Sequence, residues 1–375
     1  MCSLFQKETI MDTGADPLPS SSKNLPDPAF WRGKRVFLTG HTGFKGGWLA
    51  LWLTKLGANV HGYALPPSTE PSLFSLARVN EGILHHVNDV RDLALMRKSM
   101  TYFKPDIVLH LAAQPILRWS YEIPVETYAT NVMGTVHVME VARHVPSAKV
   151  TLVITTDKCY ENREDNHAFR ETDAMGGHDP YSSSKACAEL AVSAYGRSYF
   201  NKGDQVVATA RAGNVIGGGD WAQHRLMTDI IAAIVAGQKP VIRNPAAIRP
   251  WQHVLEPLSG YMRAVEYLWQ KRSDQPECWN FGPGAASEVS VAEVANDVCR
   301  LWGFADGLQL TPDARALHEA HYLRLDSTKA HKELGWQSHL DLKQALALTV
   351  DWYKAWQKGE DMREVTLRQI EDYRK

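Results

Sequence analysis

The chain has 375 residues, 44% of them hydrophobic, enough to bury one large core or a large domain with a smaller lobe. Its 41 basic and 42 acidic side chains nearly cancel, which argues against strong attraction to nucleic acid or an anionic membrane and favours a small partner recognised locally. No segment approaches the roughly 18 consecutive apolar residues of a membrane-spanning helix, and the five scattered cysteines (Cys2, Cys159, Cys187, Cys278, Cys299) form no CxxC pair, so a reducing cytoplasm is the expected setting.

Residues 1–28 are polar and rich in Ser, Pro and Asp, without the basic start or apolar stretch of a signal peptide, and read as a flexible extension. Then strand, glycine loop, helix and strand follow one another. Apolar runs predict strands at 35–40, 58–65, 83–87, 106–112, 149–156 and 205–212. Between them Trp48, Leu49, Trp52, Leu53 and Leu56 recur at one-face helical spacing, as do Val132, Val136, Met139 and Val141, so the connections are crossover helices. The alternation predicts an α/β fold: a Rossmann-type doubly wound parallel sheet over residues 29–212. Beyond it Gly and Pro crowd GNVIGGGDW, IRNPAAIRPW and FGPGAAS, which predicts loops broken by helices at 223–237, 256–271, 290–302, 326–334 and 341–358. Residues 213–358 are expected to form mainly a smaller mixed α/β substrate-binding lobe, and 359–375 a charged tail that is either a terminal helix or a solvated segment.

Gly40, Gly43 and Gly46 lie three apart between the first strand and its helix. A pyrophosphate must approach N–H groups at a helix N-terminus closely, and a β-carbon in that turn would obstruct it. The second strand lacks the acid that binds the adenosine ribose of NAD, with none before Glu70, and no Arg stands there for a 2′-phosphate, although Lys45 can supply positive charge. Asp89, after the third strand, is either a contact to the adenine edge or a solvated turn residue.

In YSSSK, Tyr181 and Lys185 lie four apart and so on one helical face. A free phenol has a pKa of about 10, so a tyrosine base needs a nearby cation, which Lys185 can be while also holding a ribose. At the end of the fifth strand stand Thr156, Asp157 and Lys158. They are either a polar turn capping a helix or a reactive set: a hydrogen-bonding hydroxyl, a general acid and an amine base. In HEAHYL, His318 and His321 lie three apart without a third ligand, so no metal is expected.

The motifs GHTGFKG, HLAAQP, TNVMGT, TTDKCY, YSSSK, ARAGNVIGGGDW and RPWQHV occur in the order found in extended short-chain dehydrogenase/reductases, the NAD-dependent epimerase/dehydratase family, which the chain resembles from Trp31 to about residue 358. TTDK, GGGDW and RPWQHV are most similar to CDP-glucose 4,6-dehydratases; dTDP-glucose dehydratases carry Glu where Lys158 stands. The resemblance implies NAD as cofactor, held by Gly40, Gly43, Phe44, Lys45, Gly46, Asp89, Val90, Leu111, Ala112, Ala113, Tyr181 and Lys185. It implies CDP-glucose as partner: Tyr181 deprotonates the 4-hydroxyl as hydride leaves C4, Lys158 removes the C5 proton, Asp157 protonates the departing C6 hydroxyl, and hydride returns to C6. It places Gln114, Arg118, Ser120 and Tyr121 near the sugar, and Asn131 as a structural or cofactor-side group. Asn214, Trp221, Arg225, Arg249 and His253 are the candidates for the nucleotide, since a diphosphate favours guanidinium donors, ordinary surface arginines being the alternative. A homodimer through helices near 121–145 and 181–201, and a place in deoxysugar and lipopolysaccharide O-antigen biosynthesis, are further implications. A nucleotide-sugar 4-epimerase would use Tyr181 without needing Asp157 and Lys158; a catalytically silent dinucleotide-binding module would usually lose the Tyr or the Lys.

Overall fold

A computed structural model describes residues 25–201, 203–311 and 322–375, so most of the N-terminal extension, Cys2, and the His318 and His321 pair lie outside the described residues. The six apolar runs become strands, each trimmed by a residue or two at one or both ends: β1 (Arg35–Thr39), β2 (Asn59–Ala64), β3 (Leu84–Val87), β4 (Ile107–His110), β5 (Val150–Ile154) and β6 (Val206–Ala212). A seventh, β7 (Glu277–Phe281), comes from the region read as loops and helices. All pair in parallel in the order β3-β2-β1-β4-β5-β6-β7. The order reverses between β1 and β4, and at such a switch point the loops leaving the two strands diverge and open a crevice.

Strand residues alternate between two cores. Val36 and Leu38 of β1 and Ile107 and Leu109 of β4 enter one apolar cluster, while Phe37 and Val108 enter another on the opposite face. The first face is covered by α1 (Phe44–Lys55), whose Trp48, Leu49, Trp52 and Leu53 are all buried as their spacing predicts. The second is covered by α2 (Leu93–Phe103), α3 (Gly134–Ala142) and α4 (Pro180–Tyr195) through Met96, Met100, Val138, Met139 and Val192. Strands covered on both sides need continuous apolar runs rather than strict alternation, which is why β4, β5 and β6 read so clearly in sequence.

The start of α4 is sharply defined. Asp179 accepts from Ser182 N at 2.9 Å and from Ser182 Oγ at 2.6 Å, and Pro180 occupies the first helical position, so Tyr181 is fixed in the first turn.

After β6 come α5 (Leu226–Val235), α6 (Leu255–Gln270), α7 (Val291–Trp302), α8 (Thr328–Leu334) and α9 (Leu342–Gln357), each within a few residues of its sequence expectation. The chain does not leave the main sheet for good at residue 212, because β7 pairs along β6 and α6 contributes Leu258, Met262 and Val265 to the first core. The C-terminal segment forms α10 (Met362–Tyr373), whose Glu364, Arg368, Glu371 and Asp372 face water while Met362, Val365, Ile370 and Tyr373 are buried. Its last residue is tied to Glu256 of α6: Tyr373 Oη donates to Glu256 Oε2 at 3.0 Å, and the same carboxylate accepts from His339 N at 3.0 Å and Leu340 N at 2.7 Å.

Burial pushes the Glu256 carboxyl up to about 7, against the opposing effect of those hydrogen bonds. The native state therefore holds a proton that the unfolded chain, near the ordinary value of 4.5, has already released. The corresponding stability is fully present below about 4.5 and lost as pH rises through about 7. Glu256→Gln, neutral at every pH, should gain in melting temperature relative to the parent as pH rises across that window. A difference that stays constant with pH would show that Glu256 does not titrate there.

Candidate active site

Above the carboxyl ends of the strands, over the switch point, lies a cavity of about 730 Å³. One end is built by the glycine loop. Gly40 has φ +79°, and a Cβ there would lie 2.7 Å from Ala112 N, so the loops leaving β1 and β4 touch backbone to backbone. A Cβ at Gly46 would lie 2.1 Å from Gly40 O, so the first turn of α1 also rests on the loop. Gly43 is the N-cap and has no side chain to cap with. The free first-turn N–H groups of a helix favour an anion, and Phe44, Lys45 and Gly46 of that turn line the cavity. Glycine cradle, uncapped helix end and cavity together fit a dinucleotide pyrophosphate. Beneath the loop, His41 is fully buried against His85, Nε2 to Nδ1 2.6 Å, and Gly62 makes room for its ring. Burial, then the neighbouring His85 and His61, push His41 down to about 3, so it stays neutral and plays a packing role.

Asp89, Val90, Leu111, Ala112 and Ala113 line the same cavity. Asp89 is not a free turn residue, because Arg91 grips its carboxylate through Nη2 at 2.6 Å and backbone N at 2.8 Å. Arg91 itself lines the cavity, a cation the sequence reading missed. Burial lowers Lys45 to about 7, and the charges that act on it are Arg225, Asp157, Lys185 and Asp220.

Thr156, Asp157, Lys158, Tyr181 and Lys185 all stand on the cavity wall. Thr156 caps a short turn, with its Oγ1 accepting from Lys158 N at 3.4 Å and donating to Asp157 Oδ1 at 2.9 Å. Lys158 Nζ lies 3.7 Å from the same oxygen. Asp157 is 1% exposed, and its Oδ2, against Gly213, has no hydrogen-bond partner among the described residues. Burial pushes the Tyr181 hydroxyl up to about 12, opposed by its hydrogen bond with Thr156 and by Arg225. Sequence spacing assigned that opposing role to Lys185. Its Nζ donates instead to Ile154 O at 3.0 Å, and burial lowers it to about 8, with Glu189 opposing.

Gln114, Arg118, Asn214, Arg225 and Arg249 also line the cavity. Arg225 pairs with Asp220 at 3.2 Å, and Arg249 is buried with Nη1 donating to Ile248 O at 2.9 Å. Asn131 is structural: it bonds Gln114 N (2.8 Å), Gln114 O (3.1 Å) and Ser184 Oγ (2.9 Å), tying the loop after β4 to α4. Four expected substrate contacts lie off the wall. The helix Leu117–Glu122 turns Ser120 inward, where its Oγ donates to Leu117 O at 2.6 Å, and turns Tyr121 outward to solvent. Trp221 packs edge-on against Tyr353 (5.2 Å) and Trp356 (4.6 Å). His253 is fully buried against Trp48, and burial pushes it down to about 3, so it offers no cation to a phosphate. In their place the wall carries Asp220, His224, Asp229 and Arg243. Asp229 stands in the first turn of α5, and both it and His224 are exposed where they line the cavity. Among the described residues no cluster of three or more His, Cys, Asp or Glu side chains is arranged to hold a metal.

The sequence profile of the GDP-mannose 4,6 dehydratase family matches residues 37–349. A CDP-glucose 4,6-dehydratase of Salmonella typhimurium is 50% identical, covering 92% of this chain and 98% of its own. Among solved structures, an epimerase of Methanothermobacter thermautotrophicus superimposes with TM-score 0.78 at 23% identity, covering 90% of this chain and 96% of its own. A dTDP-glucose 4,6-dehydratase of Bacillus anthracis in complex with NAD does so with TM-score 0.73 at 20% identity, covering 88% and 100%. At those identities the two structures share the fold.

Proposed function

Because the chain belongs to the GDP-mannose 4,6-dehydratase family, we propose that it is an NAD-dependent hydro-lyase converting CDP-D-glucose to CDP-4-dehydro-6-deoxy-D-glucose. The observation that carries this reading is the meeting of Tyr181 with Thr156, Asp157 and Lys158 on the wall of one cavity, in a chain half identical to a CDP-glucose 4,6-dehydratase. Gly40, Gly43, Phe44, Lys45 and Gly46 would hold the cofactor pyrophosphate, Asp89 and Val90 the adenosine half, and Leu111, Ala112, Ala113 and Lys185 the nicotinamide riboside. When bound, NAD supplies a hydride acceptor for C4 and a hydride donor for C6, so no external reductant is consumed.

The remaining chemistry is proton transfer by this chain. Tyr181 takes the proton of the sugar 4-hydroxyl. The 4-ketone then acidifies C5, Lys158 removes the C5 proton and later returns it, and Asp157 gives a proton to the C6 hydroxyl as it leaves as water. Tyr181 has gained a proton and Asp157 has lost one. Thr156, which donates to Asp157 Oδ1 at 2.9 Å and acts on the Tyr181 hydroxyl, would pass the proton back. Arg118, Arg225 and Arg249, with Gln114 and Asn214, would hold the nucleotide sugar, residues 29–212 serving mainly the cofactor and 213–358 mainly the substrate.

Incubation with CDP-glucose should yield a product with the ultraviolet absorbance of a 4-keto sugar in alkali. An epimerised hexose that keeps its C6 oxygen, or tight NAD binding without turnover of any nucleotide sugar, would overturn the proposal.

We place the enzyme in the cytoplasm, feeding deoxysugar and O-antigen assembly. The four described cysteines are unpaired, and no helix among the described residues is long and apolar enough to cross a membrane. A homodimer is supported by apolar side chains left exposed near and on α3 and α4: Val125 (75%), Leu190 (59%), Tyr199 (55%) and Met133. Size-exclusion chromatography with light scattering should report twice the chain mass, and a monomer at working concentration would reject the dimer.

A further inference from the structure

Two side chains of α4 grip consecutive residues at the end of β5. Lys185 Nζ donates to Ile154 O at 3.0 Å, and one helical turn later Glu189 accepts from Thr155 Oγ1. Glu189 is 5% exposed, and Arg211 of β6 clamps it in a bidentate pair, Nε to Oε1 2.9 Å and Nη2 to Oε2 2.7 Å. Thr209 Oγ1 also donates to it at 2.7 Å. The other nitrogen of Arg211 donates to Tyr160 Oη at 2.7 Å, and Tyr160 donates to Asn280 Oδ1 of β7 at 2.7 Å. A buried ion pair seldom stabilises a fold more than apolar residues of equal volume would, because desolvation offsets the attraction. What distinguishes this one is its place, one residue from Thr156.

We propose that Glu189 is a positioning residue for the dehydration: with Lys185 it clamps Ile154 and Thr155 to α4, and so fixes the Thr156–Lys158 turn relative to the Tyr181 hydroxyl on the same helix. This rests on the dehydratase reading of the site. Tyr181 and the two grips all belong to α4, whereas the proton-handling turn belongs to β5 and the loop after it. The two groups of reacting atoms keep register only if helix and strand end move as one body. A misplacement of about 1 Å at reacting atoms can cost on the order of a hundredfold in rate.

The charge of Glu189 adds a signature that packing alone would not produce. The groups facing Lys185 are Glu189 on its own helix, the buried Cys159 thiol after β5, His110 at the end of β4, and Lys45 from α1. His110 is pushed by burial to about 3 and is neutral. Burial lowers Lys185 to about 8, while Glu189 favours its ammonium form. Without that carboxylate the ammonium is lost at lower pH, and a rate that depends on it falls earlier as pH rises.

The test uses Glu189→Gln and Thr155→Val in the full chain. Thr155→Val removes one grip and leaves the ion pair intact, so it stays informative if loss of the Glu189 charge prevents folding. For E189Q, kcat with CDP-glucose should fall on the order of tenfold to a hundredfold with KM little changed. The alkaline limb of its pH profile should move to lower pH by about half a unit or more. For T155V, kcat should fall a few-fold at an unchanged melting temperature, and crystal structures should show the Thr156–Lys158 turn displaced in both variants. Folded variants with parental kcat and an unmoved alkaline limb overturn the proposal, as does lower kcat with neither limb nor turn displaced. If the parent enzyme leaves CDP-glucose unchanged, the dehydratase reading falls. The crystal structures then decide the clamp alone, and a turn unmoved in both variants rejects it.

Discussion

Tyr181→Phe is expected to lower kcat for CDP-glucose by roughly 10² to 10⁴-fold, the usual contribution of a positioned acid or base, while leaving NAD binding and melting temperature nearly unchanged. The hydroxyl is removed from a side chain whose ring packing stays. Burial pushes that hydroxyl up to about 12, so at neutral pH little phenolate exists unless neighbours favour it. The favouring groups are the Thr156 hydroxyl and the Arg225 guanidinium, and Asp157 and Asp179 work against them. The base form is the deprotonated one, so the parent rate should rise with pH on the acid side as phenolate accumulates. The phenylalanine variant should lose that limb along with the rate. Initial rates read from the alkali absorbance of the 4-keto product check both. Undiminished turnover would show that another base takes the C4 hydroxyl proton and would remove the mechanism built on this residue.

The parts of the site legible in sequence are those fixed by local spacing. The glycine loop needs small residues at set intervals because backbone meets backbone there, and the contact of Gly46 with Gly40 O lies within the loop itself. β4, β5 and β6 were legible because burial on both faces demands apolar runs. β7 was not, since Glu277 and Asn280 interrupt it. Glu277 pairs with Lys329 of α8 at 2.7 Å, and Asn280 accepts from Tyr160 and donates to Phe169 O, partners that exist only once the chain has folded.

The same limit explains the misread side chains. A four-residue spacing sets Lys185 one turn from Tyr181, but a long flexible side chain ends where its best acceptor lies, and that acceptor is Ile154 O. His253 and Trp221 stand in segments that touch the cavity, yet each faces an aromatic partner, Trp48 in one case and Tyr353 and Trp356 in the other. Spacing along the chain sets the neighbourhood of such residues, whereas orientation is decided by packing between elements distant in the chain.

Asp157→Asn should separate the two halves of the reaction. The near-ultraviolet absorbance of reduced nicotinamide should appear on mixing with CDP-glucose and persist, while the 4-keto-6-deoxy product forms about 10² to 10³-fold more slowly, as expected for loss of a general acid. Asparagine has the shape of the residue it replaces and can still accept from Thr156 Oγ1 through the oxygen that now does so at 2.9 Å. Shape matters because a Cβ at Gly213 would already lie 2.7 Å from Asp157 Oδ2, so a longer side chain at position 157 would have to displace backbone. Asparagine lacks only a proton to give. In the parent, Oδ1 is shared between Thr156 and Lys158, while Oδ2 is buried without a hydrogen-bond partner among the described residues. C4 oxidation asks nothing of this carboxyl, so the first half should survive; departure of the C6 hydroxyl as water does, so the second should stall. A 4-epimerase on the same scaffold would need only the first half and its reversal, and would be nearly indifferent to the change. Unimpaired product formation by the variant would take the acid role from Asp157, whereas a persistent reduced nicotinamide with stalled product would tie elimination to this one side chain.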